Sequence, residues 1–372
     1  MPLSDADYML RAIRLARLGR YTTRPNPNVG SVIVKDGQII GEGYHHRAGE
    51  PHAEINALRQ AGANAVGSTV YVTLEPCSHT GRTPPCANAL IESGVKRVVV
   101  SMVDPNPEVA GQGIRRLRDA GIEVTENVLS ASALALNRGF CKRMRSGLPY
   151  VRVKMAMSMD GRTAMSSGES KWITGPDARA DVHRMRALSG AIMTGSGTVL
   201  ADDPSMDFRL DEYDQLSGEI PEDTEQPLKV IVDSELKTPL NASILAHVER
   251  VMIATIAGAS SSESFSKAGI SVKEYESLNG KVPLKTLLGD LANQEINDVM
   301  VEAGPGLSGA LLSAKLIDEL VLYMAPHLMG DAAHGLLTLP GLERMRDRVA
   351  VRIDDIRAIG SDWKITAIPE YA

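Results

Sequence analysis

Apolar residues recur along the chain with two different periods, and the alternation between them predicts the fold class. Met9, Ile13 and Ala16 fall on one face of a first helix. Ser4 and Asp7 form a capping box at its start, and Gly19 is placed to close it. Period-two runs, SVIVK and QIIGEG, flank Asp36-Gly37 and predict a hairpin over 31–42. A helix over HAEINALRQAG ends at Gly62, and a strand over 69–74 leads into a loop rich in proline and cysteine. A helix over CANALIESG, a strand KRVVVSMVD, a helix GIRRLRDAG and a strand IEVTEN follow. Strands alternating with helices across short connections predict an α/β sheet covered by helices.

The basic stretch CKRMRSGLPY (141–150) interrupts this periodicity with a Gly and a Pro, and the domain boundary is expected there, giving domains 1–144 and 145–372. The second half opens with a strand VRVKMAMS and an Asp160-Gly161 turn. A helix over 177–189 and strands AIMTG, LKVIVD, RVMIAT and ISVKEYE come next. A helix near 285–295, a strand NDVMVEAG and a helix from Gly306 complete a second α/β pattern. The acidic segment 210–226 is expected to be a surface loop, and the two halves share no internal repeat.

Composition narrows the function classes. At 372 residues the chain fits two or three domains, given roughly one per 150 residues. A net charge of −6 disfavours a nucleic-acid partner. Neither a membrane-length apolar run nor a basic, apolar leader is present, and three cysteines are too few for a disulfide framework. A cytoplasmic protein is the expectation.

The chemistry concentrates in two places. His52-Ala53-Glu54 and Glu75-Pro76-Cys77, followed by Cys86, offer one imidazole and two thiolates, a donor set that suits zinc and leaves a fourth position for water. His52 and Cys86 stand at predicted helix starts, which favour the thiolate. Glu54 diverges from His52 on the helix, so it is cast as the proton shuttle and not as a ligand. Zinc deaminases carry Pro-Cys-x-x-Cys, whereas eight residues separate Cys77 from Cys86 here. His79 is close enough to be a fourth ligand, which would make the site structural. In the second half, Gly304-Pro305-Gly306-Leu307-Ser308-Gly309 follows a predicted strand and opens a helix, as a phosphate-binding turn does. It lies outside a first βαβ unit and lacks the ribose-binding acid at the right distance, so a Rossmann domain is not predicted.

The runs HAEINAL, VTLEPCSHTGRTPPC and VDPNPEVAGQGI resemble the deaminase half of the bifunctional riboflavin-biosynthesis deaminase/reductase family, in which the long Cys-Cys spacer is the normal form. KMAMSMDGRTA, SGESKWIT, TVLADDP and VEAGPGLSGALL resemble its reductase half, so the likeness spans the chain. It implies a cytidine-deaminase-like domain followed by a dihydrofolate-reductase-like domain. One zinc ion per chain and NADPH are the implied cofactors, and the implied substrate is 2,5-diamino-6-ribosylamino-4(3H)-pyrimidinone 5′-phosphate.

By the same resemblance, Asn26, His45, Arg82 and Asn106 contact the deaminase substrate, with Arg82 as a phosphate clamp. Lys154, Ser170, Arg186, Met206, Arg209 and Glu302 contact the reductase substrate, the two arginines at the ribose phosphate and Glu302 at the pyrimidine ring. Ala156, Trp172, Thr198, Asp202, Ser234 and the Gly304–Gly309 turn hold the cofactor. Core packing is the competing role for Trp172, and turn chemistry for Asn26 and Asn106. Lys154 and Asp202 are candidates for the reductase proton donor. The resemblance further implies a homo-oligomer, dimer or tetramer, formed through the reductase half. A nucleic-acid-editing deaminase and a binding protein with a structural zinc site are the competing readings.

Overall fold

The computed structural model describes residues 3–78, 85–107, 109–213, 216, 218–259 and 262–371. The chain divides into two compact units, Met1–Leu148 and Pro149–Ala372.

In the first unit the elements run α1 (Asp5–Ala16), β1 (Gly30–Lys35), β2 (Gln38–Tyr44), α2 (Ala53–Ala61), β3 (Thr69–Val72), α3 (Cys86–Glu92), β4 (Arg97–Val100), α4 (Gln112–Asp119), β5 (Glu123–Thr125), α5 (Ser130–Leu136) and α6 (Arg138–Ser146). The five strands form one sheet in the order β2-β1-β3-β4-β5. β1 is antiparallel to β2 and β3, while β3, β4 and β5 run parallel. Alternation along β1 serves both faces. Val32 and Val34 pack on Tyr8, Met9 and Ile13 of α1, and Ile33 joins Val70, Val72, Leu90, Val98 and Leu117 on the other side.

The capping box at Ser4 and Asp7 forms as expected, and the Asp36-Gly37 turn takes positive φ at both residues, as a two-residue hairpin loop requires. Gly19 does not end α1 sharply; it lies in a 3₁₀ turn, Arg17–Gly19, that prolongs it. The stretch around 141–150 is helical as far as Ser146, and Gly147 at φ 65° closes that helix. Of the basic residues that interrupt the apolar period there, Arg145 is exposed while Arg138, Lys142 and Arg143 are half-buried, and the buried face of α6 is Gly139 and Cys141.

The second unit contains β6 (Tyr150–Ser158), β7 (Arg162–Ala164), α7 (Pro176–Leu188), β8 (Ala191–Gly195), α8 (Ser196–Asp202), β9 (Leu228–Val232), β10 (Val251–Ile256), α9 (Ser262–Lys267), β11 (Ser271–Tyr275), α10 (Leu284–Asn293), β12 (Asp298–Val301), α11 (Pro305–Ser313), β13 (Glu319–Ala325), β14 (His334–Gly335), β15 (Ala350–Ile359) and β16 (Asp362–Glu370). Nine strands make one sheet in the order β11-β10-β9-β8-β12-β6-β13-β16-β15. It is parallel from β11 to β13, and β16 and β15 add an antiparallel edge. The Gly304–Gly309 turn therefore follows a central strand late in the chain and not a first βαβ unit, so the Rossmann arrangement is absent from the described residues here.

The described residues of the acidic segment 210–226 carry no long regular element, yet they are not simply a solvated loop. Leu216 and Ile220 are buried, and Glu219 pairs with Arg184 of α7 at 2.9 Å. Among the described residues, no helix is long and apolar enough to cross a membrane.

Candidate active sites

Three elements of the first unit deliver a compact donor set. His52 is the N-cap of α2, Cys77 lies in the loop after β3, and Cys86 is the first residue of α3. Their ligand atoms all lie within 4.8 Å of one another. His52 Nδ1 stands 3.7 Å from Cys77 Sγ and 3.3 Å from Cys86 Sγ. A tetrahedral zinc with its usual Zn–S and Zn–N lengths needs N···S edges of roughly 3.6 Å, so both N···S edges lie close to what that ion requires. The sulfurs cannot both carry charge this close together without a cation. The hydrogen bond from Cys86 pulls the Cys77 thiol down to about 4, while the same contact and burial push Cys86 far above the thiol range. A divalent cation between them removes that conflict.

Glu54, in the first turn of α2, is 3% exposed, and burial pushes its carboxyl up to about 7. It lines a cavity of about 250 Å³ together with Asn26, His45, His52, Cys77 and Asn106. His45 is buried, and burial lowers its pKa. Its Nδ1–H donates to the Pro51 carbonyl at 3.3 Å, so its Nε2 accepts from Asn26 Nδ2 at 3.0 Å. A neutral imidazole thus fixes which way the Asn26 amide points. Arg82 and His79 lie outside the described residues. Phe140 and Met144 of α6, which the periodicity did not reveal, supply an apolar wall to the same cavity.

The second unit holds a cavity of about 960 Å³, at the upper end of the range for small-molecule and cofactor sites. Lys154, Ser170, Arg186, Met206, Arg209 and Glu302 all line it, as do Ala156, Trp172, Thr198, Asp202 and Gly304 to Leu307. Ser234, Ser308 and Gly309 do not. The Ser234 hydroxyl accepts from Val282 N at 3.3 Å, and Ser308 is buried with its hydroxyl donating to the Ala303 carbonyl at 3.3 Å. Gly309 faces away, where a Cβ would stand 2.1 Å from the Thr338 carbonyl oxygen.

Two strand-to-helix turns from neighbouring parallel strands open onto this cavity: Gly195–Thr198 after β8, and Ala303–Leu307 after β12. They are stitched together by Gly304 N–H donating to Thr198 Oγ1 at 3.1 Å. A Cβ on Gly306 or Gly197 would meet no protein atom within 4 Å, so both glycines keep the approach to the backbone N–H groups clear. Open backbone at the start of α11, at the carboxyl ends of parallel strands, fits a cofactor phosphate. The Gly195-Ser196-Gly197 turn went unnoticed in the sequence, although its two glycines directly after the strand AIMTG are the signal that marks it. Trp172 is 71% exposed and Arg179 lies over its ring at 4.8 Å, which rules out core packing.

Deeper in, Arg186 of α7 grips Glu302 with two bonds, Nε to Oε1 at 2.6 Å and Nη2 to Oε2 at 3.0 Å. Lys154 Nζ stands 3.8 Å from Glu302 Oε2. Burial would raise the Glu302 carboxyl, but Arg186 and Lys154 outweigh it and hold it at about 2. Burial also lowers the Lys154 ammonium. The Arg186 guanidinium, expected at a ribose phosphate, is instead committed to Glu302 and to the Asp207 carbonyl at 2.8 Å. Arg209, bonded to Ser205 and Glu212, is 43% exposed at its side chain and is the arginine with room to turn toward an anion. Asp202 accepts from the Ser170 hydroxyl at 3.0 Å. His183, also missed, accepts from Arg209 N–H at 2.9 Å through Nδ1, and burial together with Arg186 and Arg209 drives its pKa down to about 3.

Comparison with known proteins agrees on both halves. Residues 3–102 match the cytidine and deoxycytidylate deaminase zinc-binding region, and residues 149–365 match the RibD C-terminal domain. The riboflavin biosynthesis protein RibD of Escherichia coli is 50% identical over 97% of this chain and 98% of its own. That of Haemophilus influenzae is 50% identical over 98% of each. Among solved structures, RibD of Acinetobacter baumannii superposes with a TM-score of 0.91 at 48% identity, covering 99% of both chains. A diaminohydroxyphosphoribosylaminopyrimidine deaminase/5-amino-6-(5-phosphoribosylamino)uracil reductase of Thermotoga maritima gives a TM-score of 0.84 at 32% identity, covering 98% of both.

Proposed function

The chain belongs to the bifunctional deaminase/reductase family of riboflavin biosynthesis, and from that premise we propose how its residues divide the two reactions. The deaminase reaction belongs to residues 1–144 and the reductase reaction to 145–372. The first substrate is 2,5-diamino-6-ribosylamino-4(3H)-pyrimidinone 5′-phosphate, and the final product is 5-amino-6-ribitylamino-uracil 5′-phosphate.

In the deaminase, His52, Cys77 and Cys86 hold one zinc ion, an assignment supported above all by their three donor atoms lying within 4.8 Å. When bound, the ion supplies the Lewis acidity that brings a water from pKa 15.7 to about 7. Glu54 takes the proton of the attacking water and passes it to the departing amine, and its burial keeps it able to hold that proton near neutrality. Asn26, set by His45, and Asn106 orient the pyrimidine, and Arg82 clamps the phosphate. A set of three donors beside a buried carboxyl that lines the same cavity favours a catalytic site over a closed structural one.

In the reductase, Gly304 to Leu307 and Thr198 receive the pyrophosphate of NADPH, with Ala156, Trp172 and Asp202 along its length. Ser234, Ser308 and Gly309 support that site from outside the cavity. When bound, the cofactor supplies a hydride to C1′ of the opened ribosyl group. Glu302, pinned by Arg186, accepts bonds from the pyrimidine ring; Lys154, Ser170 and Met206 complete the wall, and Arg209 takes the phosphate. Lys154, whose ammonium is destabilised by burial, is the better placed proton donor, since Asp202 is engaged by Ser170.

The chain works in the cytoplasm on a small phosphorylated pyrimidine, without nucleic acid or membrane partners. It assembles as a dimer or tetramer through the reductase unit, where β15 is exposed along its length with Val351 at 47%, Ile353 at 56% and Ile356 at 51%. The test follows ammonia and NADPH absorbance with the purified zinc-loaded protein and the diaminopyrimidinone substrate. Ammonia release without cofactor, followed by NADPH oxidation only after deamination, is expected. NADPH consumed before any ammonia appears contradicts the order, and neither signal returns the chain to the binding-protein reading.

A further inference from the structure

Glu75 stands two residues before the zinc-ligand candidate Cys77, is 6% exposed, and belongs to none of the roles above. Its carboxylate is saturated by backbone. Oε1 accepts from Gly113 N at 2.8 Å and Ile114 N at 3.2 Å, and Oε2 accepts from Asp104 N at 3.0 Å and Gly111 N at 2.9 Å. Three of these donors are the otherwise unpaired N–H groups at the start of α4, where a negative charge is also favoured by the helix dipole. The fourth belongs to Asp104, whose own Oδ1 accepts from Asn106 N at 2.8 Å.

The same stretch is held at two further points. A Cβ on Gly113 would stand 1.9 Å from the Pro76 carbonyl oxygen, so α4 sits against the backbone of the ligand loop. Arg116 Nη1 donates to the Ser78 carbonyl at 2.9 Å. The bond from Asp104, which lies outside the helix, shows that the carboxylate does more than cap α4. Their arrangement fastens both sides of Asn106 to the loop that carries Cys77.

We infer that Glu75 is a positioning residue of the deaminase, which holds Asn106 in register with the metal-ligand loop by binding the backbone on either side of it. This rests on the reading of Asn106 as a substrate contact. A buried charge-assisted cluster is the means suited to that task, because removing one acceptor leaves several N–H groups unpaired and lets the segment drift. In Glu75→Gln, one side-chain oxygen keeps its pair of donors while the amide NH₂ confronts the other pair.

The experiment measures deaminase kcat and KM, zinc content and reductase rate for Glu75→Gln, Asn106→Ala and the double variant, all as full-length chains. A rise in KM of roughly tenfold is expected for Glu75→Gln, as for loss of a positioned hydrogen bond, with zinc content and reductase rate unchanged. The double variant is expected to be no worse than Asn106→Ala, since Glu75 acts through that residue. An unchanged KM, lost zinc at unchanged KM, or effects that multiply in the double variant would each overturn the inference while leaving the Asn106 reading intact. An unchanged KM in Asn106→Ala alone overturns that reading and the inference with it. Should Glu75→Gln not fold, Glu75→Asp, which keeps the charge on a shorter arm, carries the same expectation in smaller measure.

Discussion

Replacing Arg186 by Leu removes both bonds to Glu302 and leaves a 9%-exposed carboxylate with only Lys154 at 3.8 Å. Removing one partner of a buried ion pair costs about 3–5 kcal/mol. The titration of Glu302 supports the lower end. Its carboxyl sits at about 2 in the folded chain against an ordinary 4.5, worth ~3 kcal/mol to order of magnitude. Because the folded value is depressed, that stabilisation is complete above pH 4.5 and is lost as pH falls toward 2. The stability gap between wild type and variant should therefore narrow by at least about 1 kcal/mol from pH 7 to pH 3.5. Urea unfolding read by tryptophan fluorescence isolates the effect, because both tryptophans, Trp172 and Trp363, lie in the second unit. A gap below about 1 kcal/mol at pH 7, or one that stays the same at both pH values, refutes the reasoning.

Glu54→Gln should lower the deaminase kcat by roughly 10²–10⁴ while zinc content stays at that of wild type; loss of zinc instead would make Glu54 a ligand. Cys86→Ala leaves two of three donors and should release zinc to a mild chelator that wild type resists, with NADPH oxidation on deaminated substrate unaffected. The glycines of the α11 turn should behave oppositely. Gly306→Ala, whose Cβ meets no protein atom, is expected to raise the KM for the nicotinamide cofactor at unchanged stability. Gly309→Ala, 2.1 Å from the Thr338 carbonyl oxygen, should destabilise by about 1–3 kcal/mol; the reverse assignment in paired thermal melts and cofactor titrations would refute the split.

What the sequence disclosed followed how locally each feature is encoded. The hairpin at Asp36-Gly37 and the capping box at Ser4 are contained in a few adjacent residues, and both form as expected. His52, Cys77 and Cys86, whose long Cys-Cys spacer departs from general zinc deaminases and matches the family's form, are brought together by the fold. Helix α6 was missed because its four basic residues break the apolar period, and Phe140 and Met144 were lost with it. The edge hairpin of β15 and β16 escaped because β15, VRIDDIRAI with charges between its apolar residues, is exposed on both faces and carries no buried alternation. Glu75 looked like part of a motif, and its four backbone donors come from residues 29 to 39 positions away. Arg186 was expected at a phosphate because its pairing with Glu302, 116 residues on, is invisible along the chain.

In the proposed division, one chain carries two separable active sites that work in order. The most direct test gives Glu54→Ala first the diaminopyrimidinone substrate and then its deaminated product, following ammonia and NADPH each time. No ammonia and no NADPH oxidation from the first, with wild-type NADPH oxidation from the second, is the predicted result. NADPH oxidation from the first substrate, or none from the second in a chain that retains its zinc and its fold, would contradict it.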